Sequence, residues 1–198
     1  MSVNVSSIVK CADPQLKERL DDYGYRHSYA TADTARDLAF IYGLDEDVAY
    51  LAGLLHDWDR CILDEEIIAR ARDYGMDVSP EALVAPKILH AHTGAIAAQE
   101  AFPELPPELI TAIRHHTVGA PEMSDLDKAL YIADMIEPSR THPRSMTLRE
   151  MVGTIGLDAL FLQAYRRTME HLIENHKVMH PDTTKVWNAL MMKGTPRD

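Results

Sequence analysis

Apolar residues recur at spacings of three and four along almost the whole chain, the period of helices with one buried face. Asp13-Pro14 is expected to open the first helix, with Asp as N-cap and Pro at the first helical position, running through Leu16 and Leu20 to end near Gly24. A second helix, about 25–42, carries His27, Thr31, Thr34, Ala35, Leu38, Ile41 and Tyr42 on one stripe, and Gly43 stops it. Asp45 caps a third, whose set Val48, Leu51, Ala52 and Leu55 delivers His56-Asp57 at its C-terminal end. Asp64 is expected to cap a short helix over 65–74, and Ser79-Pro80-Glu81 to begin another that reaches Leu89-His90. Thr93 should cap 94–102, Pro106-Pro107 should open a helix ending in Arg114-His115-His116, and Ser124-Asp125 should start 126–136.

Residues 137–149, with two prolines, read as a surface loop with a short turn of helix. A long amphipathic helix follows over about 157–177, and the last runs from Asp182 to about Lys193, with Pro181-Asp182-Thr183 at its start. Nothing alternates with the period of a strand. The pattern predicts an all-α fold of nine to eleven helices in a single domain, 1–198, with its core at about 15–192.

Composition adds bounds. With 46% hydrophobic and 26% charged residues, the chain reads as an ordinary globular protein. Its net charge of −11 argues against nonspecific nucleic-acid binding but permits a phosphorylated substrate where metals or local cations supply positive charge. Cys11 and Cys61 form neither a CxxC motif nor a disulfide framework. No apolar run reaches the length of a membrane span, and residues 1–10 lack a signal-peptide pattern, so a cytoplasmic location is expected, with no membrane partner.

The candidate chemistry lies in histidines and aspartates set into apolar segments. His27, His56, His90 and His116 each lie in or at the end of such a segment, as do Asp57 and Asp134. A carboxylate carried into a core costs several kcal/mol, about what a bound cation can offset. Four such N/O ligands would hold one cation; six, with one carboxylate shared, would hold two. A lone buried histidine more often satisfies a backbone carbonyl, and His92, His115, His142, His171 and His176 are assigned to that class or to the surface. Asp59 and the run Asp64-Glu65-Glu66 read as caps and solvated face, and Tyr23, Tyr25 and Tyr29 as packing.

The order His27, His56-Asp57, His90, His116, Asp134 resembles the HD-domain metal phosphohydrolases. Arg26-His27-Ser28, the stretch from Leu51 to Asp57, the stretch from Leu89 to Ala95, the stretch from Ala112 to Gly119, the stretch from Tyr131 to Arg140 and His180-Pro181-Asp182-Thr183 are similar, more closely, to the bacterial symmetrical bis(5′-nucleosyl)-tetraphosphatases of YqeK type, which hydrolyse diadenosine tetraphosphate. The resemblance covers residues 15–192. It implies an all-α HD-domain bundle around two divalent ions, iron first and manganese second, held by His27, His56, Asp57, His90, His116 and Asp134, with Asp57 bridging. It further implies attack by a hydroxide bridging the ions, Asp57 and Asp134 holding the metals and orienting it. Arg140 then contacts substrate phosphate, Arg60 stabilises phosphoryl charge, and His180 belongs to a segment closing over the nucleotide.

The implied partners are a dinucleoside polyphosphate and a second copy of the chain in a homodimer. Where the family commonly reads His-Asp-x-Ala-Lys, this chain has His56-Asp57-Trp58-Asp59-Arg60: a planar guanidinium replaces an ammonium, and Asp59 adds a negative charge beside a phosphate site. His92, in place of the usual Gly-Pro that follows the histidine, offers an extra donor. Two rival readings stand. A mononuclear HD nucleotidase would use His27, His56, Asp57 and Asp134 alone, and a metal-binding signalling module would have lost catalysis.

Overall fold

The computed structural model describes residues 4–192. Its elements are α1 (Val5–Arg19), α2 (Asp22–Tyr42), α3 (Glu46–Leu55), α4 (Asp64–Asp73), α5 (Pro80–Val84), a 3-10 turn (Pro86–Leu89), α6 (His90–Ala101), α7 (Pro107–His115), α8 (Asp125–Ile136), α9 (Pro143–Met151), α10 (Leu157–Glu174) and α11 (Pro181–Met192). No strand occurs among the described residues, and the fold is all-α as the pattern predicts. No helix among them is long and apolar enough to cross a membrane.

Local chemistry sets most of the boundaries. The Asp45 side chain accepts from the amides of Asp47 and Val48 at the start of α3. Ser124 and Asp127 form a reciprocal capping box on α8. Gly43 ends α2 in the left-handed region at φ 73°, which costs a residue without Cβ little.

Several expected boundaries differ, each for a physical reason. α1 begins at Val5, capped by the Asn4 side chain, and Pro14 lies inside it. The buried stripe Ile8, Ala12, Leu16 carries the helix past a residue that donates no hydrogen bond. Asp13 is therefore no cap; it accepts from the hydroxyls of Tyr25 and Tyr29 and pairs with Lys17 at 2.7 Å. α2 starts earlier than expected because Asp21 caps it, accepting from the Gly24 amide. Asp64 is the first residue of α4, with Leu63 at the uncapped N-cap position. The helix expected from Ser79 to His90 is broken by Pro86, which drives Ala85 to φ −128° and ψ 67°. Thr93 lies inside α6 and not at its cap, because α6 continues from the 3-10 turn at His90. The stretch expected as loop contains α9, anchored by the buried Leu148. α10 ends at Glu174, and Lys193 lies outside the described residues.

Two large apolar clusters fill the interior, with a smaller one formed by Ile67, Ala71, Ala82 and Leu89. Leu51, Leu54, Leu55, Trp58, Leu109 and Ile113 belong to one; Leu38, Ile132, Ile136, Leu160, Phe161 and Tyr165 belong to the other. Helices α2, α3 and α8 contribute to both, and α2 packs against α3 and α8. Leu51, Leu54 and Leu55 are completely buried, each worth about 2 kcal/mol. Together they fix the end of α3 and offset the cost of carrying His56 and Asp57 inside.

Gly53 lets α3 approach α2 closely. A Cβ there would stand 2.6 Å from the Ala32 Cα and 2.8 Å from the Thr31 carbonyl oxygen. Gly53→Ala should therefore separate the helices and lower stability by about 1–3 kcal/mol in urea unfolding. An unchanged midpoint would mean that the contact is looser than described.

Candidate metal centre

The six predicted ligands come from five helices, mostly at their ends. His27 projects from α2; His56 caps the C-terminus of α3 and Asp57 follows it. His90 is the first residue of α6, His116 caps the C-terminus of α7, and Asp134 sits in the last turn of α8. The helix ends orient the rings. The Nδ1–H of His56 donates to the Gly53 carbonyl at 2.7 Å, and that of His116 to the Ile113 carbonyl at 2.7 Å. His90 makes the same bond to the Lys87 carbonyl, also three residues back. The fourth ring differs: His27 Nδ1–H donates to the Glu137 carboxylate at 3.1 Å. With Nδ1–H donating in all four, each ring in its neutral form presents an Nε2 lone pair, the tautomer a metal requires.

The four Nε2 atoms converge on Asp57, two to each oxygen. Oδ1 lies 3.0 Å from His90 Nε2 and 3.7 Å from His116 Nε2. Oδ2 lies 3.4 Å from His56 Nε2 and 3.8 Å from His27 Nε2. Asp134 joins the second pair, its Oδ1 3.0 Å from His27 Nε2 and 4.0 Å from His56 Nε2. All four histidines and Asp57 are buried. The Nε2 atoms of His90 and His116 face each other at 3.0 Å, two acceptors with no hydrogen between them, while His56 Nε2 is buried without a partner. Such an arrangement is costly for protein atoms alone and suited to cations. The donor set, imidazole and carboxylate, fits borderline divalent metals.

Charge in the cluster follows from proximity. Burial works against ionisation of Asp57, but the imidazoles of His56, His116 and His90 override it and hold the carboxyl well below the usual range. Asp134 is likewise held low against burial, by His27, His56 and Arg140. Burial alone would depress His56, yet the Asp57 carboxylate reverses this and pushes its pKa up to about 9. Burial lowers His116. Two carboxylates thus stay ionised while one imidazole holds a proton that a cation would displace.

Arg140 reaches the Asp134 edge. Its guanidinium donates to Asp134 Oδ1 at 2.7 Å and to the Asp134 carbonyl at 3.0 Å, lies 3.3 Å from His27 Nε2, and donates to the Tyr23 hydroxyl at 3.3 Å. Arg60 is not part of the cluster. Its backbone amide donates to the Asp57 carbonyl, but its exposed side chain lines a neighbouring cleft of about 810 Å³, which His180 also lines. His92 lines a second cavity of about 520 Å³ with His115 and His180; burial lowers its pKa to about 4. His115 donates to Asp127 at 2.9 Å, in keeping with a satisfied histidine.

Asp59 is completely buried, not on the solvated face expected of it. Arg70 at 2.9 Å and Arg19 at 3.4 Å neutralise it. Two neighbours of the site, Glu137 and Thr117, have no role in the sequence reading, and Tyr23, expected as packing, packs on a ligand ring. Glu137 is a fully buried carboxylate behind His27, and it also accepts from the Ser139 amide at 2.6 Å. The Thr117 hydroxyl lies 3.1 Å from His116 Nε2. Tyr23 stacks on His27, ring centroids 5.9 Å apart. A buried Glu in an otherwise turn-like Glu-Pro-Ser was the available signal for the first; Thr117 and Tyr23 carry none.

Comparison with known proteins gives the family and the fold. The family model of the HD domain matches residues 24–139. The symmetrical bis(5′-nucleosyl)-tetraphosphatase of Bacillus subtilis is 32% identical over 181 residues, covering 89% of this chain and 94% of that protein. Its counterpart in Halalkalibacterium halodurans is 30% identical over 178 residues, covering 90% and 94%. Among solved structures, a predicted HD superfamily hydrolase involved in NAD metabolism from Clostridium acetobutylicum superposes with a TM-score of 0.87 at 31% identity, covering 94% of this chain and 97% of that one.

The raised His56 pKa has a measurable sign. Its protonated form is favoured in the folded chain, so that contribution to stability is full below about pH 6.5 and is lost as pH rises through about 9. A cation needs the neutral ring, so at pH 7 its uptake should release about one proton, with affinity rising about tenfold per pH unit up to about pH 9. Titration calorimetry of manganese in two buffers of different ionisation heat measures this. Equal heats in both would show that His56 is already neutral.

Proposed function

The chain belongs to the HD-domain family of hydrolases, in the group of the symmetrical bis(5′-nucleosyl)-tetraphosphatases, and from that premise we propose that it cleaves diadenosine tetraphosphate at its centre to give two ADP. One observation carries this reading: the two oxygens of Asp57 face separate histidine pairs, an arrangement suited to a carboxylate shared by two cations. His27, His56, Asp134 and Asp57 Oδ2 would hold one ion; His90, His116 and Asp57 Oδ1 the other. The donor set suits iron, and manganese as an alternative. When bound, such ions supply Lewis acidity, lowering the pKa of water from about 15.7 towards about 7 and drawing charge from phosphoryl oxygens.

The chain's own groups supply the rest. Asp57 and Asp134 fix the positions around which the reaction occurs. Glu137 holds the His27 ring in the ligating tautomer. Arg140, anchored through the Asp134 carbonyl, offers a planar fork to a substrate phosphate at the His27–Asp134 edge. The Thr117 hydroxyl, beside His116 Nε2, can accept or donate to a water or phosphate oxygen at the other edge. Arg60 and His180 are assigned phosphate and nucleotide contacts from the neighbouring cleft.

Water adds to the phosphorus beside the central bridging oxygen and gives up its proton to solvent, that P–O bond breaks, and ADP leaves with the electron pair. A nucleoside diphosphate is a good leaving group, so no separate general acid is required. Which bond breaks is a matter of register, because a shift by one phosphate presents a different phosphorus. A mononuclear site would leave the facing His90 and His116 nitrogens without a purpose.

Hydrolysis in heavy-oxygen water should give ADP as the sole nucleotide product, with label on the terminal phosphate of one ADP in each pair. ATP with AMP would mean a different register; turnover of mononucleotides alone would mean a nucleotidase. Arg140→Ala should raise KM for diadenosine tetraphosphate about tenfold or more with metal content intact, because phosphate binding is lost and ligation is not. Unchanged kinetics would return Arg140 to a purely structural role.

A further inference from the structure

The turn that follows α8 carries Glu137 and Arg140 to the metal centre, and a residue outside the centre holds that turn. The chain leaves the helix at Glu137, at φ −54° and ψ 155°, and passes through Pro138 and Ser139 to Arg140. A helix leaves its last carbonyls without partners of its own. Two guanidinium groups take them up here. Arg140 Nε donates to the Asp134 carbonyl at 3.0 Å. Arg149, on α9, donates to the Ile136 carbonyl from Nε at 2.8 Å and from Nη2 at 2.6 Å. Its Nη2 also reaches the Glu137 carbonyl at 2.9 Å and the Arg140 carbonyl at 3.3 Å.

One planar group thus spans the last residue of α8 and both ends of the turn. All of its bonds go to backbone, and none goes to a metal ligand. The Arg140 amide closes the same turn on the Glu137 carbonyl at 2.9 Å. The carbonyls of this segment are engaged by α9, while the side chains of Glu137 and Arg140 reach His27 and Asp134. A cation at a helix C-terminus is favoured by the helix dipole, and an ionised donor makes a hydrogen bond about twice as strong as a neutral one. α9 is itself fixed, because Leu148, next to Arg149, is completely buried in the same apolar cluster as Ile136.

We propose that Arg149 is a positioning residue for the hydrolysis, holding the Glu137–Arg140 turn so that the Arg140 guanidinium is aimed before substrate arrives. The inference rests on the assignment of Arg140 to substrate phosphate above and deepens it. A fork that grips phosphate through two parallel bonds works in one plane and at one distance. Without Arg149 the Ile136 and Arg140 carbonyls turn to water, the turn loosens, and Arg140 samples orientations of which few bind phosphate. Arg149 touches no substrate and acts through Arg140.

A double-mutant cycle on the manganese-loaded protein, read as KM and kcat for diadenosine tetraphosphate, tests this. Arg149→Ala should raise KM about fivefold, with kcat changed by less than about twofold and metal content as in the wild type. Arg149→Lys, which keeps the charge but not the fork, should fall between the two, and it carries the same cycle if the alanine variant folds poorly. In the Arg140→Ala background Arg149→Ala should add less than about twofold, because the group it positions is gone; a residue that only stabilises the fold would act alike in both backgrounds. Wild-type KM in Arg149→Ala, or an equal rise in both backgrounds, would overturn the proposal. Equilibrium dialysis with ADP makes the same comparison without turnover. A protein that cleaves no dinucleotide, yet loses ADP affinity about fivefold on Arg149→Ala and no more in the Arg140→Ala background, would support the positioning role while refuting the hydrolase reading.

Discussion

A single buried carboxylate, Asp57, organises this molecule. It is 6% exposed and meets four imidazole nitrogens, two at each oxygen. An isolated charge at that depth would cost several kcal/mol and would protonate or be expelled. Here the surrounding rings keep it ionised, and the whole group is short of positive charge. The chemistry of the site follows from that deficit, because a cation satisfies Asp57, Asp134 and the lone pairs of the histidines together.

The fold meets this demand with helix ends. An α-helix leaves its last carbonyls without partners, and two of the four rings, His56 and His116, use such a carbonyl three residues back to fix their orientation. His90 uses the 3-10 turn in the same way. The ligands thus sit where the backbone already has hydrogen-bonding capacity to spare. The close approach of α2 and α3 at Gly53 then brings His27 and His56 to the same oxygen of Asp57. Of the four rings, His27 alone is backed by a carboxylate, Glu137, which ties the Glu137–Arg140 turn to the centre.

The ligands were legible in the sequence because each is polar where its neighbours are apolar. Asp134 among Leu130, Tyr131, Ile132, Ala133 and Ile136 has no plausible surface. The helix starts at Asp45, Pro107 and Ser124 were equally plain, because cap chemistry is local. What depended on distant partners was not. Asp59 reads as surface until Arg19, forty residues away in sequence, and Arg70 are seen closing on it. Asp13-Pro14 has the form of a helix start, but a buried stripe on both sides and the hydroxyls of Tyr25 and Tyr29 decide otherwise. Arg60, next to the ligands in sequence, faces the cleft instead of the cluster, since the turn after Asp57 carries its side chain away. The cleft is assembled from segments more than one hundred residues apart, and no local pattern announces it.

Metal counting tests the role of Asp57 most directly. Protein purified without chelator and replete with manganese or iron should hold two equivalents by elemental analysis. Asp57→Ala should lose both, and His90→Ala about one, with helical content by circular dichroism retained in each. A wild-type protein saturating at one equivalent, with His90→Ala holding the same amount, would contradict a carboxylate shared between two ions.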